Sequence, residues 1–233
     1  MYFGIQNSKD IYPSSLDHAQ AIKIFLSMFN ANFPEFKIPL KYAQIYNSLN
    51  DIFKFRAYDL IKFSNLKKQN RANLNFCCVS NSIIWAFLSG KTLPQTFQTP
   101  KNKVAKFIQF FANGFIFGAN DLFLDFVFWR IKNTHKDKIV EQNGDFIELK
   151  QNGKTIFSLL PSFKFIDQNY ENDLFCELFA MSQKHKICQN DVFVVVPRHK
   201  GFNKFFNLNL AQNAKSRLVP YSICGKFQLK EEK

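Results

Sequence analysis

The tripeptide Glu148-Leu149-Lys150 is the most chemically suggestive spacing in the chain, because residues two apart on a strand project from the same side. A two-residue turn at Asn143-Gly144 would pair Gln142 with Asp145, Val140 with Ile147 and Asp137 with Lys150. Asp137, Glu148 and Lys150 then share one face of a hairpin. Carboxylates placed together in this way offer hard oxygen ligands of the kind Mg²⁺ takes, and a metal-activated water attacks phosphodiesters. On this reading Asp137 and Glu148 bind the metal and all three residues are catalytic. The competing reading is a solvent-facing hairpin laced by salt bridges, since Glu-x-Lys suits any exposed strand.

Other reactive groups form weaker patterns. Cys77-Cys78 precedes a helix start, where thiolate is favoured, although two small buried residues are the plainer reading. Cys176, His185, Cys188 and His199 could bind zinc, but the spacing Cys-x8-His-x2-Cys fits no standard site. Gly90-Lys91-Thr92 ends like a phosphate-binding loop, yet Trp85 stands where the first glycine is required. The five cysteines are irregularly spaced and suggest no disulfide framework. With no basic-then-apolar start and no uninterrupted apolar run, the expectation is a cytoplasmic protein without a transmembrane segment.

Charge is distributed more tellingly. The chain of 233 residues has a formal charge of +13, and its acids and bases are segregated. From Leu60 through Asn120 there is no Asp or Glu, against Lys67, Lys68, Arg71, Lys103 and Lys106 among others. From Val192 through Lys230 there is again none, against Arg198, Lys200, Lys204 and Arg217. Uniform lysine bias would scatter acids among the bases, so acid-free stretches point to a polyanion, with nucleic acid as the expected partner. In the second stretch Phe202, Phe205 and Phe206 interleave with the cations, the combination that holds single strands by phosphate contact and base stacking. The 30 Phe are not themselves a signal, because A/T-rich coding favours Phe, Lys, Asn and Ile together.

The elements that must position these residues change character along the chain, which reads as α+β. Residues 1–133 read as a helical basic region. A helix capped by Ser14 runs through Phe29. Tyr42, Ile45, Tyr46, Leu49, Ile52 and Phe53 lie at helical spacing, and further helices are expected at Asn81–Ser89, after Thr99-Pro100, and at Asn120–Ile131. Residues 134–233 read as an α/β region. Lys138–Gln142, Asp145–Lys150 and Lys154–Leu160 form a meander joined by Asn143-Gly144 and Asn152-Gly153; a helix at Tyr170–Lys186 and a buried strand Val192–Val196 follow. Leu218–Tyr221 is a further strand.

This helix–β–β–β–helix–β order, with Glu148-x-Lys150, resembles the common core of the PD-(D/E)xK nuclease superfamily. Those enzymes place an acid on one strand and acid-x-Lys on its neighbour, holding a divalent metal. The resemblance implies a nucleic-acid-binding, nuclease-like protein using Mg²⁺ through Asp137, Glu148 and Lys150. The tripeptide here lies on the second meander strand, where the superfamily uses the third, and no Pro-Asp precedes it. Two alternatives stay open: a non-enzymatic peripheral or assembly protein meeting acidic protein or anionic lipid, and an enzyme for a small anionic substrate with a pocket lined by Arg198, His199 or Arg217.

Overall fold

The computed structural model describes residues 1–63, 79–95, 98–166, 191–208, 216–225 and 227–230. The predicted helix at Tyr170–Lys186, the cysteine pair Cys77-Cys78, the Cys176/His185/Cys188 group and the cations Lys67, Lys68 and Arg71 lie outside them. The chain has the predicted α+β character, in two units of mixed composition. One unit takes Met1, 14–37 and 118–233; the other takes 2–13 and 38–117. The division expected at 133/134 falls inside the first unit, at the end of a helix that packs on the sheet following it.

In the second unit, strands β1 (Tyr2–Gln6) and β2 (Lys9–Ile11) form a hairpin absent from the sequence reading. Its two-residue turn is Asn7-Ser8, both with positive φ, as a type I′ turn requires. Helices α2 (Tyr42–Ile45), α3 (Leu49–Phe63), α4 (Val79–Leu88) and α5 (Lys103–Ala112) follow, then strand β3 (Phe115–Gly118), which lies beside β1 in the order β2-β1-β3. The helical pattern from Tyr42 to Phe53 is broken in two because Ser48 caps a new helix, its Oγ accepting from Asp51 N at 3.0 Å. Asp10 adds a carboxylate to the same orphan amides, accepting from Leu49 N at 2.7 Å. Similarly, α5 starts at Asn102 rather than Thr99, because the Asn102 Oδ1 accepts from Val104 N and Ala105 N. Phe53 centres this core, stacked on Phe107 at 5.5 Å with rings 4° apart and meeting Phe110, Phe111 and Phe115. Many of the phenylalanines are therefore ordinary core.

The first unit pairs α1 (His18–Asn32) with α6 (Ala119–Thr134) beside a six-stranded sheet. Asp17, not Ser14, caps α1, accepting from Gln20 N at 3.0 Å. The sheet comprises β4 (Ile139–Asn143), β5 (Phe146–Gln151), β6 (Lys154–Pro161), β7 (Asp191–Pro197), β8 (Phe206–Leu208) and β9 (Ser216–Tyr221), in the order β4-β5-β6-β7-β9-β8. The meander is antiparallel, β6-β7-β9 is parallel, and β8 closes one edge antiparallel to β9. Phe123 and Phe126 of α6 stand edge-on to Tyr221 on one side of the sheet. Phe146, Leu160, Val194, Val196 and Leu218 form the core on the other, with Ile166 and Phe202. Among the described residues no helix is long and apolar enough to cross a membrane.

One half-buried acid on α6 makes folding pH-dependent. Burial first, and then Asp121 one turn away, push the Asp125 carboxyl above its ordinary value. The folded chain then holds this proton where the unfolded chain has released it, so stability falls as pH rises from the unfolded value through the folded one. Asp125→Asn is expected to raise Tm at neutral pH, with the gain narrowing as pH falls towards about 4; equal gains at both pH values would contradict this.

Candidate nucleic-acid interface

The meander places the Glu-x-Lys tripeptide in a register shifted from the predicted one. The first turn is Gly144-Asp145, pairing Asn143 with Phe146, Glu141 with Glu148 and Ile139 with Lys150. Only Gly144 of this turn has positive φ, as in a type II′ turn, whereas Asn152 and Gly153 are both positive, as predicted for type I′. A two-residue shift keeps the faces but changes the neighbours. Asp137 lies in the turn before β4, outside the strand, and Glu141 takes a place on the face with Glu148 and Lys150. The Lys150 Nζ donates to Glu141 at 2.6 Å and lies 3.1 Å from Glu148, whose Oε2 also accepts from Asn143 Nδ2 at 2.9 Å. Hydrogen bonds to Glu141 and then Glu148 hold the Lys150 ammonium above the ordinary lysine range.

Glu141, Glu148 and Lys150 thus form a salt-bridged cluster on the exposed hairpin. The Lys150 ammonium lies against both the Glu141 and the Glu148 carboxylate. The third strand, where the resembling enzymes carry acid-x-Lys, offers Ser158 opposite Glu148, then Leu159 and Leu160. Ser158 is buried and Leu160 belongs to the hydrophobic core, so neither slot carries an ionisable group. Among the described residues no group of three His, Cys, Asp or Glu could hold a metal ion.

The opposite edge of the sheet has different chemistry. On β8 and β9, Asn207 pairs with Arg217 across the ladder, so their side chains share a face. The Arg217 Nε donates to Asn207 Oδ1 at 3.2 Å, and its guanidinium lies 5.0 Å above the Phe205 ring. Phe205 is 55% exposed, too open to be core, and Lys204 beside it is exposed. Phe206 turns the other way, stacking on buried Phe202 at 5.6 Å while remaining 39% exposed. The result is a guanidinium 5.0 Å over a solvent-facing ring at the sheet edge, with an exposed lysine next to that ring in the chain.

The approach to this edge is stitched by His199. A tight turn at Lys200-Gly201 pairs His199 with Phe202. Gly201 N donates to His199 Nδ1 at 3.1 Å, so the other ring nitrogen carries the proton and donates to the Ile166 carbonyl at 2.9 Å. The imidazole is 4% exposed with both nitrogens engaged, which makes it structural. His199→Ala leaves the buried Ile166 carbonyl without its donor and is expected to cost about 1–3 kcal/mol, read as a lower urea midpoint; an unchanged midpoint would contradict this role. Arg198 is half-buried and donates its backbone N–H to the Tyr221 carbonyl at 2.8 Å. The Lys200 Nζ donates to Gln228 Oε1 at 3.0 Å.

Of the sequence-predicted cations, Arg217 is therefore brought onto Phe205, and Lys204 is exposed next to that ring in the chain. Lys103 and Lys106 are exposed on α5 in the second unit, three residues apart on one face. Sequence reasoning missed Asn207, which aims Arg217, and Glu141, which occupies Lys150. Phe205 and Asn207, two residues apart at the start of β8, are the spacing that could have found the first.

No protein-family model matches the chain, and no curated protein matches its sequence. Among solved structures, one chain of the refined half-complex from the tetradecameric assembly of Thermococcus gammatolerans McrB AAA+ hexamers with bound McrC is similar in fold. The TM-score is 0.61 at 12% identity, over 95% of this chain and 77% of that one. The likeness thus extends across both units, and at this identity it is a likeness of fold.

Proposed function

We propose that this chain binds single-stranded nucleic acid along the β8–β9 edge and acts as a subunit of a larger, AAA+-containing assembly. The observation that carries the first part is Arg217 laid over half-exposed Phe205, with exposed Lys204 next to that ring in the chain. A ring stacks on any base, and the neighbouring cations meet the phosphates on either side of it. The fold likeness to a chain from an assembly of AAA+ hexamers supports the second part. Metal-dependent cleavage through Asp137, Glu148 and Lys150 does not belong to this reading, because Asp137 lies off the strand while Lys150 is paired to Glu141 and Glu148.

Fluorescence anisotropy with a labelled single strand tests the proposal. Affinity should fall steeply between about 50 and 200 mM salt, through release of counterions, and should be indifferent to EDTA. Neutral and anionic vesicles provide the control for a lipid-binding surface, and neither should compete at matched phosphate. A Glu148→Gln/Lys150→Met variant should bind the strand and Mg²⁺ as the parent does, with no cleavage activity lost. Absence of strand binding at low salt would overturn the reading, and so would Mg²⁺-dependent cleavage that this variant abolishes.

A further inference from the structure

A cavity of about 520 Å³ opens within the second unit, and its lining contains no carboxylate. Four segments remote in sequence build it: the Asn7-Ser8 turn, one side of α3, the end of α4 with Gly90 to Leu93, and the end of α5 through Gly114. On α3, Asn50, Lys54 and Tyr58 fall at successive four-residue intervals, which puts them on one face. Ile52, Phe53, Ala57 and Ile61 take the buried face, so the helix has a separate polar stripe aimed at the cavity. Lys91 enters after α4, its ammonium 4.5 Å over the Trp85 ring.

Aromatic rings form one wall. Tyr58 is 40% exposed and lies 4.9 Å from Phe87, which meets Phe111 edge-on at 5.9 Å. The amide side chains of Asn7, Asn50 and Asn113 supply donors and acceptors in the same lining. The helix ends of α4 and α5 each bring roughly half a negative charge. The two lining lysines, Lys54 and Lys91, carry the opposite sign. A cavity with an exposed ring, neutral amides and two lysines in its lining fits a planar, hydrogen-bonding ring that carries an anion. Its volume lies within the usual small-ligand range.

Two local features show that this shape is held by the backbone. Gly114 has φ of +74°, and a Cβ there would lie 2.8 Å from the Ile5 carbonyl oxygen, so the end of α5 passes β1 at a distance only glycine allows. Asn7 and Ser8, both with positive φ, fold the opposite rim back on itself.

We infer that this cavity is a binding site for a nucleotide unit, with Lys54 and Lys91 taking the phosphate, Tyr58 and Phe87 the base, and the asparagines its polar edge. The same chemistry is presented by a free nucleotide and by one nucleotide of a strand, and the site does not depend on the β8–β9 edge.

Isothermal titration of the full chain with AMP, adenosine, inorganic phosphate and a short oligonucleotide tests the inference. AMP should bind at least about tenfold more tightly than adenosine or phosphate alone, since only AMP engages both the ring wall and the lysines. Lys54→Gln and Lys91→Gln should each weaken it by about tenfold, with an unchanged Tm because both side chains are exposed. Tyr58→Leu should weaken AMP while leaving phosphate binding as it was. If the source is a strand, the oligonucleotide will displace AMP and will lose affinity in the same variants. A Phe205→Ala/Arg217→Gln chain should bind AMP as the parent does, which separates this site from the sheet edge. The inference is overturned if neither AMP nor the oligonucleotide binds here, or if the lysine variants bind both as tightly as the parent.

Discussion

A chain carrying Phe205→Ala and Arg217→Gln is expected to bind single strands about a hundredfold more weakly than the parent while folding normally. Stacking one base on a ring contributes roughly 1–3 kcal/mol, and loss of Arg217 removes both a phosphate contact and the cation that lies on the ring. The two losses are coupled, because Arg217 and Phe205 touch; each single variant should already show most of the defect. The slope of log affinity against log salt should fall by about one with Arg217→Gln and stay unchanged with Phe205→Ala. A structural role would move Tm instead. Phe205 is 55% exposed, so little packing is at stake in its removal. Loss of Tm with intact binding would contradict the assignment.

Gly4→Ala is expected to be the most damaging single substitution in the second unit. A Cβ at position 4 would lie 2.0 Å from the Phe115 carbonyl oxygen and 2.9 Å from the Ile116 Cα. Both obstacles are backbone, so no rotamer change relieves them, and β1 and β3 must move apart. Forced overpacking of this kind costs about 3 kcal/mol or more, read as a lower denaturant midpoint. Since Ile5 and the Asn7-Ser8 turn ride on β1, AMP binding should fail with it. Strand binding along β8–β9 should persist in any fraction that keeps the first unit folded. Gly144→Ala offers the contrast: φ there is +61° but nothing lies within 4 Å of the added carbon, so only backbone strain opposes it.

Where local chemistry alone decides structure, the sequence was readable. Asn152-Gly153 supplies two residues that tolerate positive φ, and the turn forms where expected. The run Val192–Val196 has no polar side and becomes a strand covered on both faces. The other turn shows the limit of such reading. Asn143-Gly144 and Gly144-Asp145 are both acceptable, and pairing along the whole hairpin chose the second, which moved Asp137 off the strand and brought Glu141 to Lys150. The β1–β2 hairpin was hidden because Asn7-Ser8 is a weaker turn signal than Asn-Gly and the strands are short. Helix starts were misplaced by a few residues wherever several capping side chains stood close together, as at Ser14, Ser15 and Asp17.

The sites were legible only in part, for a physical reason. Acid-free basic stretches singled out Lys204 and Arg217 as candidates before any fold was known, since formal charge is read from residue type alone. Which phenylalanines face water was not legible, because rings at Phe202 and Phe205 differ only in the strand face and neighbours they acquire. The cavity was less legible still: Lys54, Lys91 and Asn113 meet only once four separate segments have folded. Its one local trace is the stripe of Asn50, Lys54 and Tyr58 on the polar side of α3.

Photo-crosslinking of a 4-thiothymidine-bearing single strand to the intact chain, followed by peptide mapping, tests the central claim most directly. The expected result is a dominant crosslink within the peptide holding Phe205 and Phe206, lost in the Phe205→Ala/Arg217→Gln chain and reduced by salt. Crosslinks confined to the Glu141–Glu148–Lys150 edge, or absent from residues 200–217 altogether, would contradict it.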